Sequence, residues 1–303
     1  MSWDYFLMIA ENRNSQEIPA LPEGLASGFV DEVSVRFFRS HKEQARRRYM
    51  QEAGKNFQIP QPFQTLATPN FSSLPSSHWL GLEVDFELLT SWYSKDDRVF
   101  HVLDNPVRKD RVFGVPFMAA SSWKGMLRWA CRMEAGLQEH LKKHKGRLDG
   151  WKDPNWILHL FGNEKDEEED FHRGALVFYP TWFNRIGFEV INPHRRATRA
   201  GTQPIYYEVV PPRAKGTLYL LYAPGPGMKP EARPEEVLPK LLEATEKLLT
   251  TYGISAKRTV GWGTAKILRW RAYHKDHGRV EKEQCRELWN AIQNWLSAEG
   301  GAP

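Results

Sequence analysis

The chain has 303 residues, 41% of them hydrophobic and 13% aromatic, so it can bury one large core or two modest ones. No run approaches the roughly 18 apolar residues of a membrane span, and the N-terminus lacks the basic and apolar regions of a secretory signal. The two cysteines, Cys131 and Cys285, exclude a cysteine-based zinc finger and suit buried free thiols in a reducing cytosol. We therefore expect a globular cytoplasmic protein with no membrane partner.

Positive charge is concentrated in three stretches, although the net charge is only +5. Residues 105–132 carry six Lys or Arg against one Asp, residues 193–215 carry five against one Glu, and residues 256–271 carry five against no acid. Six acids stand together within residues 164–170. Outside such acidic loops the chain is strongly basic, which favours a polyanionic partner, nucleic acid first, over solvated cationic faces.

The N-terminal part is predicted to begin with a charged helix and a long arm. A helix over residues 40–53 is followed by a loop or extended arm, rich in Pro, Ser and Phe, over residues 54–79. Apolar and acidic residues then alternate over residues 82–88, the pattern of a half-buried strand. Further elements are expected as a short strand over 99–102, a helix from Ser121-Ser122 through Leu141 and a strand over 174–182.

The C-terminal part repeats this order. It contains a basic loop or hairpin over 192–203, a strand over 217–222, a helix over 234–252 ended by Gly253, a strand over 265–270 and a last helix over 280–299. Strand, helix, strand, repeated once, is typical of an α+β, ferredoxin-like (RNA-recognition-motif-like) core. We expect this core, with insertions at 104–116, 163–173 and 184–212 and an added C-terminal helix, to fill residues 81–303, after an N-terminal helix and arm over 1–80. A split second domain is the alternative.

The segment from Val115 to Arg128 (VPFMAASSWKGMLR) is predicted to start an anion-binding helix. Ser121 or Ser122 can cap it and leave the N–H groups of the first turn for an anion. Lys124 and Arg128, four residues apart, share one face and can contact successive phosphates.

A glycine-rich turn precedes the last predicted strand of the core (GISAKRTVGWG). Gly261 and Gly263 allow positive φ and a close approach of the backbone to a ligand. Lys257 and Arg258 can contact phosphates, and Trp262 can stack on a base. A tight packing turn explains the glycines equally well.

Together these two motifs resemble the RAMP superfamily of CRISPR-associated RNA-binding proteins. Their spacing and the chain length are most similar to the family of sixth Cmr subunits of type III-B effector complexes, and Ile191-Asn-Pro-His194 adds to the likeness. The resemblance implies a modified ferredoxin-like core that binds guide RNA and stacks on neighbouring RAMP subunits. Its implied guide-RNA contacts are Ser121, Ser122, Lys124, Arg128, Lys257, Arg258, Gly261 and Gly263.

The loop before the first motif resembles that of the target-RNA-cutting backbone subunits of type III complexes. Their aspartate falls close to Asp96 or Asp97, so a metal-dependent cut of target RNA, with Mg²⁺, is the alternative function. Asp-Asp pairs in loops are more often solvated turn formers. His101 and His159 are interpreted as packed side chains.

Two further interpretations concern binding. His194 beside Arg195 and Arg196 could serve an acid–base ribonuclease, but a basic hairpin that binds RNA explains these residues with fewer assumptions. A scaffold whose Phe-rich arm (Phe57, Phe63, Phe71) contacts other proteins is compatible with RNA binding. The function predicted first is a non-catalytic RNA-binding subunit of a type III CRISPR complex in antiviral defence, with guide RNA, target RNA and RAMP subunits as partners and no required cofactor.

Overall fold

The structure is a computed structural model, and it describes residues 42–54, 68–96, 101–111, 114–163, 173–192 and 204–299. They form two compact units, each assembled from several stretches of the chain. The described residues of the first unit lie within 42–64, 93–117 and 183–211, and those of the second within 65–92, 118–182 and 212–299. Each unit is therefore discontinuous in the sequence.

The described chain combines helices with a sheet whose strands pair antiparallel, which makes it an α+β protein. The strands are β1 (Leu80–Leu88), β2 (Phe117–Met118), β3 (Leu176–Phe178), β4 (Thr181–Trp182), β5 (Gly187–Ile191), β6 (Ile205–Val209), β7 (Lys215–Tyr222), β8 (Ala265–His274) and β9 (Gly278–Lys282). The helices are α1 (Lys42–Ala53), α2 (Ala120–Glu134), α3 (Leu137–Lys143), α4 (Asn155–Phe161), α5 (Pro234–Lys247), which continues as a π-helical turn (Leu248–Tyr252), and α6 (Cys285–Glu299). No helix of the described residues is long and apolar enough to cross a membrane.

The second unit is built on a five-stranded antiparallel sheet with β1 in the middle. The strand order is β3-β7-β1-β8-β9. The apolar residues of the period-two pattern in β1 (Leu82, Val84 and Phe86) are buried on one face, as that pattern predicts. The ring of Phe86 lies edge-on to Trp123 of α2, with the ring centroids 6.1 Å apart. This inner face carries the core of the unit.

The outer face of the same sheet is covered at one end and neutralised elsewhere. Phe71 lies so close to Gly81 of β1 that a Cβ there would stand 2.6 Å from the Phe71 ring. Further along, the Arg271 guanidinium donates to Glu83 Oε2 at 2.7 Å and to Asp85 Oδ2 at 2.5 Å. The face on which RNA-recognition folds stack bases is therefore occupied by the chain's own residues.

Several predicted boundaries are corrected by the structure. The predicted helix over 121–141 is broken at Gly136 (φ +96°), because this left-handed conformation ends α2 and lets α3 start in a new direction. The predicted strand over 174–182 is two short strands, β3 and β4. The last helix begins at Cys285 instead of Val280, since Val280 lies in β9, a strand that was not predicted. His101 and Val102 are outside any strand.

The first unit is organised around one buried ion pair. Lys109 Nζ lies 2.6 Å from Glu208 Oε1 and 2.8 Å from Glu208 Oε2. Tyr49 of α1 donates its hydroxyl proton to Glu208 and accepts from Lys109 Nζ at 2.7 Å. The Val107 N–H donates to Glu208 Oε2 at 3.0 Å. One carboxylate in the β5–β6 hairpin thus holds three separate stretches of the unit together.

Candidate nucleic-acid interface

Helix α2 begins at Ala120, without the predicted serine cap. Ala119 is the N-cap residue and no side chain caps this end, so the prediction that Ser121 or Ser122 caps the helix is wrong. The Ala119 carbonyl accepts from the N–H groups of Ser122 at 3.0 Å and of Trp123 at 3.1 Å. Ser121 and Ser122 lie in the first turn, Ser121 exposed. Because neither hydroxyl caps the helix, both can still bind a ligand at its first turn.

The two cations of α2 have different surroundings. Lys124 is exposed and, among the described residues, faces no acidic partner. Burial, and then the nearby charge of Arg128, lower the pKa of its ammonium group. Gly125 beside it is exposed, and a Cβ there would meet nothing within 4 Å. The surface around Lys124 is open and positive.

Arg128 is engaged by an acid inside the protein. Its Nε lies 2.8 Å from Asp153 Oδ2, and Arg132 one turn later donates from Nε to Asp153 Oδ1 at 2.6 Å. Trp151 Nε1 also donates to Asp153 Oδ1, at 2.9 Å. Asp153 is only 3% exposed at its side chain. Arg128 thus anchors the segment before α4. Its predicted contact with RNA would have to use the guanidinium N–H groups that do not bind Asp153.

Replacing Asp153 by Asn is expected to lower the free energy of unfolding by about 1–3 kcal/mol at pH 7, because two arginines lose a nearly buried carboxylate. Burial alone would raise the pKa of Asp153, but hydrogen bonds from Arg132, Trp151 and Arg128 hold the pKa below its ordinary value. A lowered folded-state pKa stabilises the protein above the unfolded-state pKa of about 3.9 and loses that effect as the pH falls further.

Urea denaturation at pH 7 and at about pH 3 measures both effects. The deficit of D153N should shrink at the lower pH, where wild-type Asp153 begins to take up a proton. D149N, in an exposed position of the same loop, is the control and should match the wild type. An equal deficit at both pH values would contradict the assignment.

The glycine-rich turn is folded by contacts within itself. Gly263 (φ +87°) packs so closely on Ser255 that a Cβ would stand 2.4 Å from the Ser255 backbone nitrogen. The Ile254 N–H donates to the Gly263 carbonyl at 3.0 Å. Gly261 (φ +84°) is exposed, and a Cβ there would meet nothing within 4 Å. Gly263 is therefore the packing glycine of the turn, and Gly261 is its open one.

The structure brings the glycine-rich turn and α2 together. The Arg258 Cζ lies 4.0 Å from the centroid of the Trp129 ring, in the middle of α2. Tyr252 meets the same indole edge-on, at 5.0 Å between centroids. Burial lowers the pKa of the Arg258 guanidinium from its high ordinary value. The two motifs, about 130 residues apart in sequence, thus form one surface, which we call the α2–turn surface: Ser121, Lys124, Gly125, Trp129, Lys257, Arg258 and Gly261.

Trp262 and the predicted basic hairpin contribute less to this description. The Trp262 N–H donates to the Lys257 carbonyl at 3.4 Å, and its side chain is half-buried. Its stacking on a base stays a prediction. Arg195, Arg196 and His194 lie outside the described residues, as do Phe57 and Phe63 of the arm, and their roles also stay predictions.

Of the two candidate cleavage residues, the structure describes only Asp96. Asp96 is buried, only 9% exposed, and its N–H donates to the Pro106 carbonyl at 3.1 Å. A carboxylate that acts on RNA must reach a phosphate or a 2′-hydroxyl, and Asp96 Oδ2 is buried; cleavage by Asp96 or Asp97 stays a prediction. Asp97 lies outside the described residues. Among the residues that are described, no group of three or more His, Cys, Asp or Glu side chains is arranged to hold a metal.

His101, His159 and the two cysteines lie within the described residues and are packed. His159 is buried, with Nε2 3.0 Å from the Tyr222 hydroxyl and Nδ1 2.9 Å from the Pro230 carbonyl. His101 accepts from the Leu103 N–H at 3.0 Å and lies edge-on to Tyr49. Cys131 is buried and Cys285 half-buried, both free thiols whose pKa is raised by burial.

The family model of the RAMP superfamily matches residues 85–266, more than half of the chain. The chain belongs to the RAMP superfamily. The matched region starts in β1 and ends in β8, so it includes both α2 and the glycine-rich turn. A comparison with curated proteins gave no match.

Two solved structures are similar to this RAMP protein. One, "Cryo-EM structure of the Type III-B Cmr-beta bound to cognate target RNA", has a TM-score of 0.46 and 15% identity, and the match covers 89% of this chain and 88% of that one. The other, "Crystal structure of Csm3-Csm4 subcomplex in the type III-A CRISPR-Cas interference complex", has a TM-score of 0.44 and 17% identity, with 73% and 98% covered.

Sequence reasoning missed two residues of this region. Trp129 is not among the residues that the sequence singles out, although it supports Arg258. Asp153 drew no attention because one acid in a polar loop has no motif around it. The signal for Trp129 was available as a large aromatic residue directly after Arg128, on a helix otherwise predicted to bind an anion.

Proposed function

We propose that this RAMP protein is an RNA-binding structural subunit of a type III CRISPR ribonucleoprotein effector complex. In this role it binds guide RNA, lies beside target RNA and packs on neighbouring RAMP subunits in antiviral defence in the cytoplasm. Binding of this kind needs no cofactor. Membership of the superfamily and the resemblance to the sixth Cmr subunits support the proposal.

The α2–turn surface is the observation that carries the proposal. It joins Lys124, exposed and without an acidic partner among the described residues, to Arg258, which no carboxylate among the described residues neutralises, and to the neighbouring Lys257. Cations such as Lys124 and Arg258 can exchange their counterions for phosphates. Positive charge and open glycine backbone at one place suit a sugar–phosphate chain.

The outer face of the sheet is less suited to bind RNA than the α2–turn surface. On the outer face of the sheet the arginines are neutralised by Glu83, Asp85 and Glu281, and Phe71 covers one end. RNA binding on this face would require these ion pairs to break. The α2–turn surface requires no such rearrangement, since its lysine at position 124 is already exposed.

We further propose that the core of the second unit is ferredoxin-like. In chain order its central elements are β1, α2, β3, β7, α5 and β8, and in the sheet these four strands lie side by side as β3-β7-β1-β8. This is the strand–helix–strand order, repeated once, of the split βαβ fold. The first unit, β9 and α6 are then additions to the core.

Lys124→Ala is expected to weaken the binding of short single-stranded RNA several-fold and to reduce the slope of log affinity against log salt by about 0.7, because one phosphate contact is lost. The loss should be the same for different sequences, since phosphates carry no sequence information. Fluorescence anisotropy with labelled oligoribonucleotides at several salt concentrations measures both quantities.

Lys142→Ala is the matched control, because Lys142 is an exposed lysine at the end of α3 and is not one of the residues of the proposed surface. It should leave the affinity and the slope unchanged. Failure of the wild-type chain, alone or with partner subunits, to bind RNA in a salt-dependent manner would overturn the proposed function.

A further inference from the structure

A three-membered stack joins the glycine-rich turn to α2. Trp129 contacts both Tyr252, which meets it edge-on with an interplanar angle of 81°, and Arg258, whose Cζ lies 4.0 Å from the indole centroid. The Tyr252 hydroxyl donates to Glu134 Oε1 at 3.4 Å, and Lys247 binds the other oxygen of Glu134. Tyr252, which contacts the indole, is therefore itself tied to α2 through Glu134.

The Arg258 guanidinium lies on the Trp129 indole and has no carboxylate partner among the described residues. A distance of 4.0 Å is van der Waals contact, so one face of the guanidinium plane lies on the indole. Among the described residues no carboxylate pairs with it, unlike Arg128, Arg132 and Arg271. Arg258 is thus a flat, oriented cation whose charge is not neutralised and whose second face does not contact the indole.

Open space lies on both sides of the stack. Gly125 stands one helical turn before Trp129, and a Cβ at Gly125 would meet nothing within 4 Å. On the turn, Gly261 is equally open, and the neighbouring Val260 is 63% exposed. Because Gly125 and Gly261 carry no side chain, neither position obstructs the approach of a planar group to Arg258.

We propose that the second face of Arg258 is a stacking subsite for one unpaired RNA base, and that Trp129 is the positioning residue that holds the guanidinium flat. The proposal rests on the proposed function and deepens it, since it names single-stranded RNA as the ligand class. Bases stack on guanidinium planes as they do on aromatic rings, and such stacking tolerates any base. A base within a duplex cannot reach this subsite, because both of its faces are covered by its neighbours.

The variant Arg258→Lys separates stacking from charge. Lysine keeps the positive charge but has no plane, so R258K should bind labelled oligouridylate about 5- to 100-fold more weakly, the range of one lost stacking contact. Its salt slope should stay unchanged. For a strand of equal length made of abasic sugar–phosphate units, R258K and the wild type should bind alike. Arg147→Lys, at an exposed arginine of another loop, is the control and should change neither affinity.

Trp129 is tested through the same discrimination. W129A should lose affinity for oligouridylate and keep its affinity for the abasic strand, and the double variant W129A/R258K should be no weaker than the weaker single variant. W129F keeps a smaller ring and should lie between W129A and the wild type. Thermal melting shows whether each variant folds, and R258K decides the question alone if W129A does not.

Three results would contradict the proposed subsite. Equal binding of oligouridylate by R258K and the wild type would overturn the subsite. An equal loss on the abasic strand would make Arg258 a phosphate contact and overturn it as well. Absence of salt-dependent binding of either strand by the wild type would contradict the proposed function itself, and with it the subsite.

Discussion

Replacing Glu208 by Ala is expected to destabilise the first unit by about 3–5 kcal/mol, the largest effect that we expect from a single side chain. The substitution leaves the Lys109 ammonium, only 3% exposed, without its carboxylate, and removes the acceptor of the Tyr49 hydroxyl and the Val107 N–H. Urea denaturation followed by near-ultraviolet circular dichroism measures the loss. Glu236→Gln, which breaks the exposed pair of Glu236 with Arg233, is the control and should leave the free energy of unfolding nearly unchanged.

The ion pair also makes a prediction about pH. Burial alone would raise the pKa of Glu208, but the charges of Lys109 and His101 and the hydrogen bonds from Lys109 and Tyr49 hold the pKa below its ordinary value. Glu208 therefore stabilises the folded state above its unfolded-state pKa, and this contribution is lost as the pH falls through the lowered folded-state value. In Lys109→Met the carboxylate loses its main cation, so burial raises its pKa instead and its protonation relieves the strain.

The deficit of K109M relative to the wild type should accordingly shrink as the pH is lowered from 7 towards 5. The double variant K109M/E208M removes both charges and should be more stable than either single variant, because no buried charge is left without a partner. Single variants that are each as stable as the wild type would show that the pair is not buried in solution.

The second large effect is expected in the glycine-rich turn. Gly263→Ala should lower the free energy of unfolding by about 3 kcal/mol or more, since the methyl group would stand 2.4 Å from the Ser255 nitrogen at a φ of +87°. Gly261→Ala has a similar φ but open space, and should cost only about 1–2 kcal/mol. Thermal denaturation of the two variants gives the comparison.

The same pair of variants separates packing from RNA binding. G261A should fold and lose RNA affinity if the backbone of Gly261 approaches the ligand, whereas any loss of affinity in G263A should follow its loss of structure. Equal stability of G261A and G263A would contradict the assignment of Gly263 as the packing glycine. The sequence left a packing role and a ligand-binding role equally possible for the turn. The close contact at Gly263 favours packing there, and the open space at Gly261 leaves room for a ligand.

Much of the fold could be predicted because its signals are local. The alternation in β1, the apolar stripe of α2 and the apolar run of β7 depend only on the period of each element. The end of a helix depends on less visible features, and the break at Gly136 and the additional strand β9 were missed for this reason. Strand β9 (GRVEK) has no apolar face, so its sequence carries no alternating pattern that predicts a strand.

The sequence by itself determined that this RAMP protein is a basic α+β protein with two conspicuous motifs, because charge and apolar periodicity are properties of neighbouring residues. Only the tertiary structure decided which arginines are neutralised: Arg128 by Asp153, Arg271 by Glu83 and Asp85, and Arg258 by no carboxylate among the described residues. It also decided that Arg258 lies on Trp129. Such pairings depend on distances between residues far apart in the chain, and these distances exist only once the sheet has brought α2 and the glycine-rich turn together.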